Sequence, residues 1–210
     1  MTPEALAHLS KSDRTLARLI ARVGPCHLKP QSRRSPFEAL VTAVAHQQLT
    51  GRVAEVILGR FRGLYEEGRF PTPEEVLRTP ATRLRGAGFS TAKSAAIKDI
   101  ALKTVDGLIP STREVRRLSD EEIIERFTQV RGVGRWTVEM FLIFTLGRPD
   151  VWPVDDFGVR KGFSLAYKRT ELPKPKELRE FGEKWRPHRS TAAWYFWSAT
   201  EVLVPAKSIR

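Results

Sequence analysis

Two sets of residues in one stretch, VRGVGRWTVEMFLIFTLGRPDVWPVDDFG (residues 130–158), have the types and spacing to do chemistry. The first acts through its backbone. Gly132 and Gly134 stand two apart between an apolar lead-in and a helix-like run. Glycines accept positive φ and let another group approach the chain closely. A helix starting near Arg135 would begin with N–H groups that lack intrahelical partners, and the turn feeding into it would form a hollow suited to an anionic oxygen. The second set is the pair Asp155 and Asp156, which begins nineteen residues after Trp136. A carboxylate in a cleft can stabilise a developing positive charge, or orient and deprotonate an attacking water. Each set also has a plainer reading. Gly-x-Gly is often an ordinary helix–helix turn, and Asp is a favoured helix N-cap. Adjacent aspartates at a helix start cannot point the same way, so one is expected to cap while the other projects.

The bulk composition narrows the partners. A chain of 210 residues with 41% hydrophobic residues can bury a real core, a composition typical of globular proteins and not of disordered ones. One cysteine, Cys26, excludes a disulfide framework and any four-cysteine zinc or iron–sulfur site. The four histidines are dispersed, and nothing in their spacing supports a metal. No apolar run approaches bilayer length, and MTPEALAHLSKSD lacks the basic start and apolar centre of a signal peptide. No membrane partner is therefore expected, and a cytoplasmic or nucleoid-associated location is. The net charge is +12, and residues 160–210 alone hold twelve Lys/Arg against five Asp/Glu. Such an excess favours polyanions, because neutralising phosphates releases their counterions.

The elements that must position these groups read as helical nearly everywhere. Leu16, Leu19, Ile20 and Val23 fall at helical spacing until Gly24-Pro25 stops the run. Pro36 opens FEALVTAVAHQQ, and GRVAEVILGRFRGLY follows Thr50. Thr72 is placed to cap a helix with Glu74 and Glu75 in its first turn. Further helices are expected over 91–104, 119–128, 135–147, 156–167, 175–184 and 190–203, and Ser119 with Glu122 has capping-box spacing. VLVPA near the C-terminus is too short to assign as a strand. RGAGFSTAK at 85–93 echoes RGVGRWTVE at 131–139, each a Gly-x-Gly between helical runs. The fold class is all-α.

The hairpin segment resembles the helix–hairpin–helix, followed by a Gly/Pro-rich loop and an aspartate, of a superfamily of base-excision DNA glycosylases. Val130 to Thr137 lies on that family's Leu-Pro-Gly-Val-Gly-x-x-Thr pattern, with Arg131 in place of the usual proline. Trp152-Pro153-Val154-Asp155-Asp156 lies where the loop and the catalytic aspartate fall. Ala45-His46-Gln47-Gln48-Leu49-Thr50, Gly88-Phe89-Ser90 with Lys93, and Trp185 to Tyr195 resemble the alkylpurine branch, DNA-3-methyladenine glycosylase II. Together these motifs span most of residues 36–203.

The resemblance implies two helical subdomains flanking a cleft: residues 36–150 as a central bundle, and 1–35 with 151–210 as the second. It implies release of 3-methyladenine and 7-methylguanine from double-stranded DNA by base flipping and hydrolysis of the N-glycosidic bond. Asp156 would be catalytic, with Trp136, Phe37, Trp194, Tyr195 and Asp155 around the base. Gln48 would fill the gap left in the stack, with Gln47 nearer the pocket or the abasic sugar. Arg131, Gly132, Val133, Gly134, Arg135, Thr137, Ser90 and Lys93 would meet phosphate. Bifunctional relatives carry a lysine where Trp136 stands, so no Schiff-base chemistry and no lyase activity are expected. No cofactor is required, although the carbonyls of Thr128, Val130 and Val133 could hold a structural Na+ or K+. The expected partner is alkylated double-stranded DNA, met by a monomer. The alternatives are a glycosylase for oxidised, deaminated or mismatched bases, and a non-catalytic helix–hairpin–helix DNA-binding protein.

Overall fold

The computed structural model describes residues 2–203, and among these there are helices and no strands. The chain divides into two compact units, Gln31–Leu146 and the remainder, Met1–Pro30 with Gly147–Arg210. The sequence division at 36 and 150 differs by a few residues at each crossing. The segment before the first bundle helix belongs with the bundle because the Gln31 N–H donates to the Phe144 carbonyl at 2.7 Å. Gly147 lies with the other unit, its Cα against the Pro30 ring.

The discontinuous unit opens with α1 (Pro3–Ser12) and α2 (Arg14–Val23). Asp13 separates them and caps α2, its Oδ1 accepting the Thr15 and Leu16 N–H groups at 2.8 and 3.0 Å. Leu16 and Leu19 then turn inward, as their spacing predicts.

The continuous unit is built on α3 (Pro36–His46), whose N-cap is Ser35 and whose Phe37, Leu40, Val41 and Val44 are all buried. Around it run α4 (Gly51–Arg62), α5 (Pro73–Arg78), α6 (Ala81–Gly86), α7 (Thr91–Val105), α8 (Thr112–Val115), α9 (Asp120–Phe127) and α10 (Arg135–Phe141). Reciprocal capping boxes start α5 (Thr72 with Glu75) and α9 (Ser119 with Glu122), matching the sequence signals. Helices α6 and α8 have six and four residues, too few for a helical period to show in the sequence. The run expected over 135–147 is interrupted: α10 ends at Phe141 and a π-helical turn, Leu142–Leu146, follows it.

The chain then returns to the first unit with α11 (Phe157–Ala166), α12 (Pro175–Phe181) and α13 (Arg189–Val202). Helices α11 and α13 cross at Gly162, where a Cβ would stand 1.7 Å from the Phe196 carbonyl oxygen. Only glycine permits that approach. Val159, Phe163, Trp185, Tyr195 and Phe196 fill this unit's core together with Leu9, Leu16 and Leu19. Val202 ends α13, and residues 204–206 of VLVPA lie outside the described residues.

Candidate active site and nucleic-acid interface

In the discontinuous unit, Asp156 is the N-cap of α11 and is 8% exposed. Its Oδ1 accepts two hydrogen bonds, from the Val159 N–H at 2.7 Å and from the Trp197 Nε1–H at 2.7 Å. The carboxylate is therefore held through one oxygen, by a backbone N–H of α11 and by an indole N–H of α13. This corrects the expected split of roles between the two aspartates. Asp155 is exposed and does not cap, whereas Asp156 both caps and accepts the Trp197 indole N–H. Gly158 makes room for this arrangement, since a Cβ there would meet Trp197 Cδ1 at 2.7 Å and Asp156 Oδ1 at 3.1 Å. Beside the carboxylate, Phe157 is 67% exposed, a large aromatic left in solvent at the first turn of α11.

Of the aromatics expected around a base, the structure exposes one clearly. Trp136 on α10 is 38% exposed. Tyr195 is buried in the core of its unit, with its hydroxyl donating to the Gly24 carbonyl at 3.0 Å. Phe37 is buried against Phe70, their ring centres 5.9 Å apart. Both rings are thus packed into the cores of their units, and Phe37 also borders an open hollow with Phe70 and Pro71. Trp194 is half-buried, edge-on to Tyr195 at 5.0 Å and to His27 at 6.2 Å.

In the continuous unit, the hairpin joins α9 to α10 with Gly132 at φ +75 and Gly134 as the N-cap of α10. A Cβ on Gly132 would sit 3.1 Å from that of Ala96, and nothing crowds Gly134. Asp99 on α7, which no sequence pattern marked, accepts the Arg131 N–H at 2.7 Å. Val133 donates its N–H to the Val130 carbonyl at 3.1 Å. An open hollow is lined by Asp99, Lys103 and residues 128–134.

Several expected phosphate contacts have internal partners here. The Arg135 guanidinium pairs with Glu121 at 3.0 Å and with the buried Glu139 at 3.2 Å, because both carboxylates lie within its reach on α9 and α10. The Thr137 side chain is buried and its Oγ1 accepts from Gln47. Ser90 caps α7 through the Lys93 N–H at 3.2 Å. The Lys93 ammonium donates to the Ala45 and Gln47 carbonyls at 2.9 and 2.7 Å, and burial pushes its pKa down. The Gln47 side-chain NH2 donates to the Gly132 carbonyl at 3.0 Å and to Thr137 Oγ1 at 3.2 Å. Gln48 is exposed in a left-handed conformation (φ +56), and Leu49 beside it is 38% exposed.

Comparison with known families decides the lineage. Residues 41–188 match the model of the HhH-GPD superfamily of base excision DNA repair proteins. The chain belongs to that superfamily. It is 40% identical to DNA-3-methyladenine glycosylase 1 of Schizosaccharomyces pombe over 99% of this chain and 91% of that one. It is 34% identical to the alkylbase DNA glycosidase-like protein mag2 of the same organism, over 93% and 92%. Among solved structures, the S. pombe 3-methyladenine DNA glycosylase Mag1 in complex with abasic DNA superposes with a TM-score of 0.87, at 41% identity and 94% and 97% coverage. A DNA-3-methyladenine glycosidase from Bacillus halodurans gives 0.80, at 31% identity and 94% and 89% coverage. Within the superfamily the chain therefore lies in the alkylpurine branch.

Proposed function

We propose that this chain is a monofunctional DNA-3-methyladenine glycosylase of type II, which hydrolyses the N-glycosidic bond of 3-methyladenine and 7-methylguanine in double-stranded DNA and leaves an abasic site. The observation that carries the reading is the buried Asp156 carboxylate, oriented through one oxygen by Val159 and Trp197. Alkylation puts a positive charge on the purine, so its departure with the bonding electron pair leaves a neutral base. The charge passes to the sugar as an oxocarbenium ion, which a fixed carboxylate stabilises. Water then bonds to the sugar carbon and gives up its proton to the carboxylate or to solvent.

The remaining residues fit supporting roles. The face of Trp136 suits a cationic purine by cation–π attraction, and its position carries no amine for lyase chemistry. With the Arg131 and Val133 N–H groups engaged internally, Gly132 and Gly134 are the hairpin donors we assign to phosphate. Gln48 and the exposed apolar Leu49 form the tip of their loop and are assigned to the gap left by the extruded nucleotide. Thr128, Val130 and Val133 line one hollow with Asp99, and their carbonyls are assigned to a structural Na+ or K+ there. The reading takes the enzyme to act as a monomer in the compartment that holds the DNA.

The test is base release from methylated duplex by wild type and by Asp156→Asn. Asparagine keeps an oxygen for the Val159 and Trp197 bonds, so the fold is retained while the charge is lost. The expected result is a fall in release rate of at least about 100-fold with binding preserved. Release at the wild-type rate by the variant would overturn the mechanism. Binding without release by either protein would leave a non-catalytic DNA-binding module.

A further inference from the structure

The end of helix α3 carries an arrangement that the proposed chemistry does not use. Lys93, from the first turn of α7, places its ammonium between the Ala45 and Gln47 carbonyls at 2.9 and 2.7 Å. Carbonyls at a helix C-terminus lack intrahelical donors, and a cation there also complements the helix dipole. The next residue, Gln48, adopts φ +56, a conformation that non-glycine residues hold only when their surroundings impose it. From the same loop, Gln47 sends its amide across to the Gly132 carbonyl and to Thr137 Oγ1. The Gly132–Val133 peptide is thereby held at both ends, its carbonyl by Gln47 and its N–H by the Val130 carbonyl.

We propose that Lys93 and Gln47 are positioning residues that clamp the gap-filling loop onto the hairpin, so that gripping the backbone and filling the stack are one mechanical event. The inference rests on the proposed role of the Gln48–Leu49 tip. Lys93 fixes where that loop leaves α3, and Gln47 transmits the position to the Gly132–Val133 peptide, the first of the two hairpin peptides between Gly132 and Gly134. A lysine so engaged contributes little to phosphate neutralisation, which separates this role from the direct phosphate contact that its motif suggested.

The experiment measures binding of wild type, Lys93→Met and Lys93→Arg to two duplexes, one undamaged and one carrying a tetrahydrofuran abasic-site analogue, across a salt series. Melting temperature is followed alongside, and so is base release from methylated duplex. Lys93→Met is expected to lose about tenfold of the preference for the abasic duplex, the scale of one hydrogen bond to a charged group. Its salt slope on undamaged duplex stays at the wild-type value, and Lys93→Arg restores the preference. A slope shallower by about 0.9 would make Lys93 a phosphate contact and overturn the clamp. An unchanged preference would overturn it too. Should Lys93→Met fail to fold, Gln47→Leu tests the far end with the same expected loss and the same overturning result. Because preference is a binding readout, a wild type that releases no base defeats the glycosylase reading alone.

Discussion

Asp156 has both its cap bond and its indole bond on one oxygen, so its direction is set by two donors 2.7 Å away on separate elements. The charge-assisted bond from Trp197 is expected to matter more for rate than for folding, because α11 keeps its Val159 cap without it. Trp197→Phe keeps an aromatic six-membered ring and removes the pyrrole portion with its N–H. Release of 3-methyladenine is expected to fall by roughly tenfold, the scale of one hydrogen bond to a carboxylate, with a small change in melting temperature. Single-turnover release rates check this, and an unchanged rate would show that the Trp197 bond does not set the carboxylate's catalytic position. No pattern in the sequence singled out Trp197 over its aromatic neighbours, since its partner lies 41 residues away.

At the scale of elements, the discontinuous unit depends on two tight contacts. The α11–α13 crossing at Gly162 leaves no space for a methyl group beside the Phe196 carbonyl. Gly162→Ala is therefore expected to destabilise this unit by at least about 3 kcal/mol, read as a lowered denaturant midpoint. The second contact joins α1, α2 and the segment after α12. Asp13 is buried, accepts a hydrogen bond from the Tyr167 hydroxyl, and pairs with Lys184 at 2.5 Å. Burial alone would raise its pKa, but Lys184, Tyr167 and the Leu16 N–H outweigh burial and hold it below the usual carboxylate range. A depressed carboxylate pKa stabilises the fold above its unfolded pKa near 4, and that stability drains away as pH falls toward the folded value. Acid titration followed by circular dichroism should show Asp13→Asn less stable than wild type at neutral pH, with the difference shrinking below about pH 4. A constant difference across that range would mean that the charge on Asp13 is immaterial.

Across the whole molecule the basic excess is shared unevenly. The discontinuous unit carries eighteen Lys/Arg against ten Asp/Glu, or +8, and the continuous unit eighteen against fourteen, or +4. The hairpin thus sits in the less basic unit, where Arg135 is neutralised by Glu121 and Glu139. The charge available for attraction to DNA therefore comes from the chain at large, and the hairpin's proposed share is its Gly132 and Gly134 N–H groups. Affinity for undamaged duplex should fall by roughly 100-fold between about 50 and 200 mM salt if about four phosphates are neutralised. Fluorescence anisotropy measures it, and a flat response would remove DNA as the reason for the charge. Among the described residues no helix is long and apolar enough to cross a membrane.

Sequence by itself determined the all-helical class, most helix starts, the hairpin glycines, and the family in which Asp156 is the expected catalytic residue. Those features are local: caps, glycine turns and short motifs are written in consecutive residues, and their physics acts over a few positions. Tertiary structure alone decided which side chains are already engaged. Lys93 turns to the Ala45 and Gln47 carbonyls, Arg131 finds Asp99, and Tyr195 is lost to the core. Each of these partners lies 32 or more residues away in the chain, apart from burial itself, and such pairings exist only once the helices have packed. A lysine or tyrosine reads the same in sequence whether its polar end meets DNA or a neighbouring helix, because only the folded surroundings settle which partner is within hydrogen-bond reach.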